Sequence, residues 1–158
     1  MKISQCYIYY STLNKSLLYQ IIEHYSIFNY DKQRDHYRYG SNKRQQIKYE
    51  FGYKDLVQDH HIIPKEFKNH LFIEDIQFDV GCSQNIKIMP NLYGIEKLNL
   101  PNNSLTHYKG HCAYNQYIKK ELDHLYDSTN FDESKYQFIL FFYYLQYNLD
   151  YESELPWL

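Results

Sequence analysis

Two pairs of histidines are the side chains of this sequence best suited to chemistry. His60 and His61 are adjacent and follow Asp59, whereas His107 and His111 are four residues apart. Neighbouring side chains on a strand point to opposite faces. One histidine of the first pair could therefore bind a metal ion while the other activates a water molecule.

The second pair lies just before a run of apolar residues with helical spacing. That spacing predicts a helix beginning near Ser104, with its apolar stripe at Tyr114, Ile118, Leu122 and Leu125. Residues four apart on a helix share a face, so His107 and His111 could hold one divalent ion together. Two ligands rarely hold a metal well, and the adjacent histidines could supply a third.

An asparagine precedes a short alternating segment between the two histidine pairs. Asn85 stands directly before the sequence IKIMP, in which Ile86 and Ile88 fall on one face of a predicted strand. Other asparagines in this region are alternatives: Asn91, Asn102 and Asn103. Asn85 is favoured because it follows a turn, DVGCSQ, and begins the strand.

These pieces, taken in order, resemble a known family. HHIIP (60–64), Asn85, MP (89–90), HYKGH (107–111) and Tyr114 resemble the HNH/endonuclease VII superfamily of ββα-metal nucleases, and within it the double-histidine branch often written AHH. The resemblance covers about residues 57–122. It implies an α+β fold, with a small ββα-metal (His-Me finger) core embedded in a mostly helical domain. It also implies a metal-dependent endonuclease that hydrolyses phosphodiester bonds in DNA, or in RNA.

The resemblance also implies a role for each matching residue. His61 would be the general base, and Asn85, the other catalytic position, would brace the loop and orient that base. One divalent ion would be held by His60 together with His107, His111 or both. Mg²⁺, Mn²⁺, Zn²⁺ and Ni²⁺ are the candidate ions, and three imidazoles suit Mg²⁺ least because it prefers oxygen ligands.

One departure from the family pattern affects the register of these roles. Asp59 stands where the branch has alanine, so an alternative register makes Asp59 the metal ligand and His60 the base. The usual pattern is ligand, base, apolar residue, any residue, proline. Pro64 therefore favours His60 as the ligand and His61 as the base.

The partner implied by the resemblance is nucleic acid, expected to be double-stranded DNA. The whole chain has a net charge of −2, so no global basic field marks such a partner. Residues 30–50 nevertheless contain six basic and three acidic side chains, with tyrosines between them. The predicted contacts to nucleic acid are therefore Arg38, Lys43, Arg44 and Lys48.

We predict three regions along the chain. Residues 1–55 form a helical and basic N-terminal region, 56–126 the nuclease core, and 127–158 a C-terminal helix and tail. Helices are predicted at about 14–28 and 133–148, and a loop between Pro90 and Pro101.

Three cysteines without regular spacing indicate a reducing compartment. The first residues lack an apolar stretch of signal-peptide type, and the longest apolar run is too short to span a bilayer. We therefore predict a soluble, intracellular protein with no membrane partner.

Two alternatives to an active nuclease stay open at this point. The first is a nucleic-acid-binding or interaction module on the same scaffold, without activity. The second is a structural zinc site built from Cys82, His107, His111 and Cys112. It is disfavoured because adjacent residues on a helix, such as His111 and Cys112, point about 100° apart.

Overall fold

A two-stranded antiparallel sheet forms the centre of the candidate site. The computed structural model describes residues 27, 31–101, 104–106, 111–151 and 155–156. Strand β1 spans Val57–His61 and strand β2 spans Ile86–Pro90. In their register, His60 lies opposite Lys87 and His61 opposite Ile86. Both segments that were predicted to be short strands are thus paired with each other.

Five helices accompany this sheet in the described part of the chain. They are α1 (Asn42–Glu50), α2 (Leu71–Asp75), α3 (Leu92–Lys97), α4 (Cys112–Tyr126) and α5 (Phe131–Tyr151), and 3-10 turns cover Lys65–Asn69 and Ser83–Asn85. The order β1, β2, α4 is the ββα arrangement, and the predicted α+β class is confirmed. Among the described helices, none is long and apolar enough to cross a membrane.

The hydrophobic core lies where α4 and α5 pack against each other and against the segment after β1. The four residues whose spacing predicted a helix are the buried residues of α4: Tyr114, Ile118, Leu122 and Leu125. Ile62 and Ile63 enter the same core directly after His61. Burial of these two side chains, which stabilises by about 1.5–3 kcal/mol each, anchors the end of β1 in the interior.

The predicted start of α4 is wrong. The helix begins at Cys112, and residues 104–106 are not helical. His111 is the N-cap residue, with a non-helical backbone at φ −83° and ψ 61°. His107 lies outside the described residues. His111 therefore lies just before α4, and not inside the helix where the predicted pairing with His107 placed it.

The segment between the two prolines is not simply a loop, because it contains α3. Asn91 caps this helix, its Oδ1 accepting a hydrogen bond of 2.7 Å from the Gly94 amide. A Cβ on Gly94 would lie 1.9 Å from the carbonyl oxygen of Leu56, so only glycine lets α3 pack against the chain that enters β1. The two prolines that bracket this segment did not predict the close approach of Gly94 to Leu56.

The two other predicted helices have different outcomes. The helix expected at about 133–148 is confirmed, and the observed helix α5 is slightly longer at both ends, at Phe131–Tyr151. The helix expected at 14–28 lies outside the described residues except for Ile27, whose side chain is buried in the core.

Candidate active site

The adjacent histidines point to opposite faces of β1, as predicted. His60 is 3% exposed, and its ring centroid lies 5.2 Å from that of His111 and 5.5 Å from that of Tyr114. The ring of His61 instead contacts Tyr39, with centroids 4.5 Å apart. The strand therefore separates the two imidazoles into two different environments, although they are neighbours in the chain.

His60 and His111 are placed so that they could share a metal ion. A bond from a metal to an imidazole nitrogen is about 2.1 Å long, so two rings on one ion have centroids no more than about 6.5 Å apart. The observed separation of 5.2 Å satisfies this limit, and the Nε2 atoms of both rings are buried. Within the described ranges, no group of three His, Cys, Asp or Glu side chains could hold a metal. Among the described residues, the possible metal ligands are thus the two imidazoles of His60 and His111. His107 is not among the described residues.

Asp59 occupies a different environment from His60. Its Oδ1 atom is 2.8 Å from Nε of Arg44 and 2.9 Å from Nζ of Lys48, and its side chain is only 6% exposed. Alternation along β1 places Asp59 on the face of His61, away from His111. A carboxylate held by two cations on that face is poorly placed to join His111 at a metal ion. This geometry favours the register in which His60 is the ligand.

Asn85 braces the chain directly after His61. Its side chain is fully buried, and its Oδ1 accepts a hydrogen bond of 2.7 Å from the Ile63 amide. Its Nδ2 donates to the carbonyl oxygens of Ile63 at 2.9 Å and Val80 at 2.7 Å. The Asn85 carbonyl also accepts from the Ile62 amide at 2.8 Å. These bonds fix the path of the chain two residues beyond His61.

Tyr114 connects α4 to the same stretch of chain. Its hydroxyl donates a hydrogen bond of 2.6 Å to the carbonyl oxygen of Ile62, inside the core. Burial raises the pKa of the Tyr114 hydroxyl, so the group stays protonated and remains a donor. Because its ring also contacts His60, Tyr114 holds the beginning of α4, with His111, against the end of β1.

Two residues of this region were not singled out from the sequence: Tyr39, which contacts His61, and Lys65, which contacts Tyr39. Tyr39 contacts the His61 ring, and Nζ of Lys65 lies 5.1 Å from the centroid of the Tyr39 ring. The Tyr39 amide donates to the carbonyl oxygen of Gly81, which holds this segment near β1. The sequence offered only weak signals, namely one tyrosine among several in the basic segment and a lysine directly after HHIIP.

The four cations predicted to contact nucleic acid do not form one exposed surface. Arg44 and Lys48 are buried against Asp59, and Arg38 pairs with Asp79 at 2.9 Å. Arg44 also donates to the carbonyl oxygens of Tyr37 and Ile86. Arg44 and Lys48 are therefore structural residues, and the expectation that they track phosphates is corrected. Lys43 is exposed, and its contact with nucleic acid stays a prediction.

The two described cysteines do not support a structural zinc site. Cys82 is buried in the core, and burial raises the pKa of its thiol to about 11. Among the described residues, neither cysteine belongs to a group of three side chains that could hold a metal ion. Cys112 is exposed, at the first residue of α4.

Comparison with known proteins gives one match. The model of AHH, described as a nuclease family of the HNH/ENDO VII superfamily with conserved AHH, matches residues 41–138. No curated protein and no solved structure matches the chain. The matched range includes α1, both strands, α4 and the first part of α5, so it extends beyond the 57–122 over which the resemblance was seen. This chain belongs to the AHH nuclease family of the HNH/ENDO VII superfamily.

Proposed function

We propose that this protein is a metal-dependent endonuclease that hydrolyses phosphodiester bonds in DNA, with His61 as the general base. The observation that carries the proposal is the division of the adjacent histidines between two faces of β1. His60 lies against His111, whereas His61 lies against Tyr39. A base that activates water must stay off the metal, and this separation provides that condition.

His60 and His111 would hold one divalent ion, with His107 as a further ligand. When bound, such an ion neutralises charge on the phosphoryl group and on the leaving oxygen. A set of imidazoles favours Zn²⁺, Ni²⁺ or Mn²⁺ over Mg²⁺. The burial of His60 beside His111 is consistent with this role, because a ligand enclosed by protein is held in place and shielded from bulk water.

His61 would take a proton from the attacking water. An ordinary imidazole is mostly neutral at physiological pH and can accept that proton. The water oxygen then forms the new bond to phosphorus while the bond from phosphorus to the 3′ oxygen breaks. Asn85 would act as a positioning residue, because its hydrogen bonds to Ile63 fix the chain that follows His61.

The test is nicking of supercoiled plasmid by the wild type and by a His61→Ala variant, with Mn²⁺, Ni²⁺, Mg²⁺ or Zn²⁺ added in turn. Loss of a general base lowers the rate by about 100-fold or more. We expect that loss in His61→Ala, with binding of metal and of nucleic acid retained. His124→Ala is the matched control, because His124 is an exposed histidine in the last turn of α4.

Unchanged nicking by His61→Ala would refute the assignment of His61 as the base. A wild type that nicks plasmid with none of the four ions would instead favour a binding module on the same scaffold. Measuring DNA binding in parallel separates these two outcomes.

A further inference from the structure

A groove runs between helix α1 and strand β1. It consists of two cavities of about 390 and 610 Å³ that share four lining residues: Gln45, Lys48, Val57 and Gln58. None of the residues to which we assigned catalysis or metal binding lines the groove.

The groove is continuous with the candidate active site through one side chain. Tyr39 lines the smaller cavity, and the same ring contacts His61. The larger cavity extends along α1 to Tyr49 and Lys54. A nucleic-acid strand held at His61 can therefore continue past Tyr39 into this groove.

The charges along the groove are balanced. Lys48 is paired with Asp59 at 2.9 Å, and Lys54 is accompanied in the lining by Asp55. A surface that follows the backbone of a duplex needs an excess of cations to neutralise phosphates. This groove has no such excess among its lining residues, so a strand bound there would have to be contacted mainly through its bases.

The uncharged lining has the chemistry that binds bases. Gln45 and Gln58 are exposed, and amide side chains can form paired hydrogen bonds with base edges. Tyr49, which is 72% exposed, lines the larger cavity, and Tyr39 lines the smaller one. Aromatic rings stack on any base that is not already stacked in a duplex.

We propose that this groove binds unpaired nucleotides of the substrate strand next to the cleaved bond. The proposal rests on the proposed function in that it takes nucleic acid as the substrate. It makes the preferred substrate one with a single-stranded stretch beside the cleavage position, such as a flap, a gap or a melted end.

The test measures binding rather than cleavage. A fluorescein-labelled thymidine oligonucleotide of about 12 nucleotides, within the site size of known single-strand binders, is titrated with protein in EDTA and followed by anisotropy. Loss of one base–aromatic stack weakens binding by about fivefold or more. We expect this for Tyr49→Ala with the single strand, a weaker loss for Gln45→Ala, and no change for a duplex of the same length.

Tyr126→Ala is the matched control, because Tyr126 is an exposed tyrosine at the far end of α4. Equal affinity of Tyr49→Ala and wild type for the single strand would overturn the proposal. An equal loss of affinity for single strand and duplex would overturn it as well, since the groove would then not read unpaired bases. Thermal unfolding by circular dichroism verifies that each variant is folded.

Failure of this proposal and failure of the proposed function give different results. A wild type that never nicks plasmid, combined with a Tyr49→Ala defect in binding, refutes hydrolysis and supports the groove. Normal nicking, combined with unchanged binding by Tyr49→Ala, refutes the groove alone.

Discussion

Replacing Asn85 by alanine should strongly lower the free energy of unfolding, because this one side chain makes several buried hydrogen bonds. The change removes three buried hydrogen bonds, to the amide of Ile63 and to the carbonyl oxygens of Ile63 and Val80. At about 1 kcal/mol each, these bonds contribute about 3 kcal/mol to the free energy of unfolding. The loss is larger if the three backbone groups stay buried without partners. A small domain has a total stability of only about 5–15 kcal/mol, so the expected loss is readily measured.

Urea unfolding followed by circular dichroism measures this effect. Asn91→Ala is the matched control, because Asn91 also makes two side-chain hydrogen bonds, to Gly94 and Asp55, but at a helix N-cap near the surface. Loss of an N-cap costs about 1 kcal/mol. A free energy of unfolding for Asn85→Ala that is equal to or higher than that of Asn91→Ala would refute the bracing role.

Asn85→Asp distinguishes the brace from a mere need for a polar residue. Its carboxylate can still accept from the Ile63 amide, but its second oxygen faces two carbonyl oxygens instead of donating to them. Burial of that charge is also costly. We therefore expect Asn85→Asp to be no more stable than Asn85→Ala, and rescue by aspartate would contradict the described hydrogen-bond pattern.

Three further predictions concern the buried ion pairs of Asp59 and the two described cysteines. Asp59→Ala introduces the alanine of the AHH motif at this position. It should nevertheless lower the free energy of unfolding by about 3 kcal/mol, because Arg44 and Lys48 lose their buried carboxylate partner. Urea unfolding measures this change, and a stability equal to that of the wild type would refute the prediction. The exposed Cys112 should react rapidly with iodoacetamide at neutral pH. Cys82 should react only on unfolding, because burial raises the pKa of its thiol to about 11. Peptide mass spectrometry measures both reactions. Because the pKa of Cys82 is higher in the folded state than in the unfolded state, stability should also fall as the pH rises from about 9 towards 11.

Several features of the site followed from local rules of the sequence. Alternation along a strand was enough to place His60 and His61 on different faces, and the helical period was enough to find the buried side of α4. Asn85 was chosen among several asparagines because of the turn and strand around it. Each of these predictions depends on residues only a few positions apart, where backbone geometry fixes the direction of a side chain.

Other features were set by contacts between distant parts of the chain. The start of α4 was misplaced because periodicity finds a helix but not its first residue, and here the chain becomes helical only after His111. The basic segment was misread because a count of charges does not reveal that Asp59 lies beneath Arg44 and Lys48. An ion pair depends on which side chains packing brings together, and sequence spacing does not contain that information.

The sequence by itself indicated which residues are candidates for the chemistry, and it placed His60 and His61 on opposite faces of a strand. Only the tertiary structure decided their partners: His111 beside His60, Tyr39 beside His61, and two cations around Asp59. The physical reason is the range of the interactions. Side-chain direction is set by the local backbone, whereas the neighbours that a side chain meets are set by how the core packs.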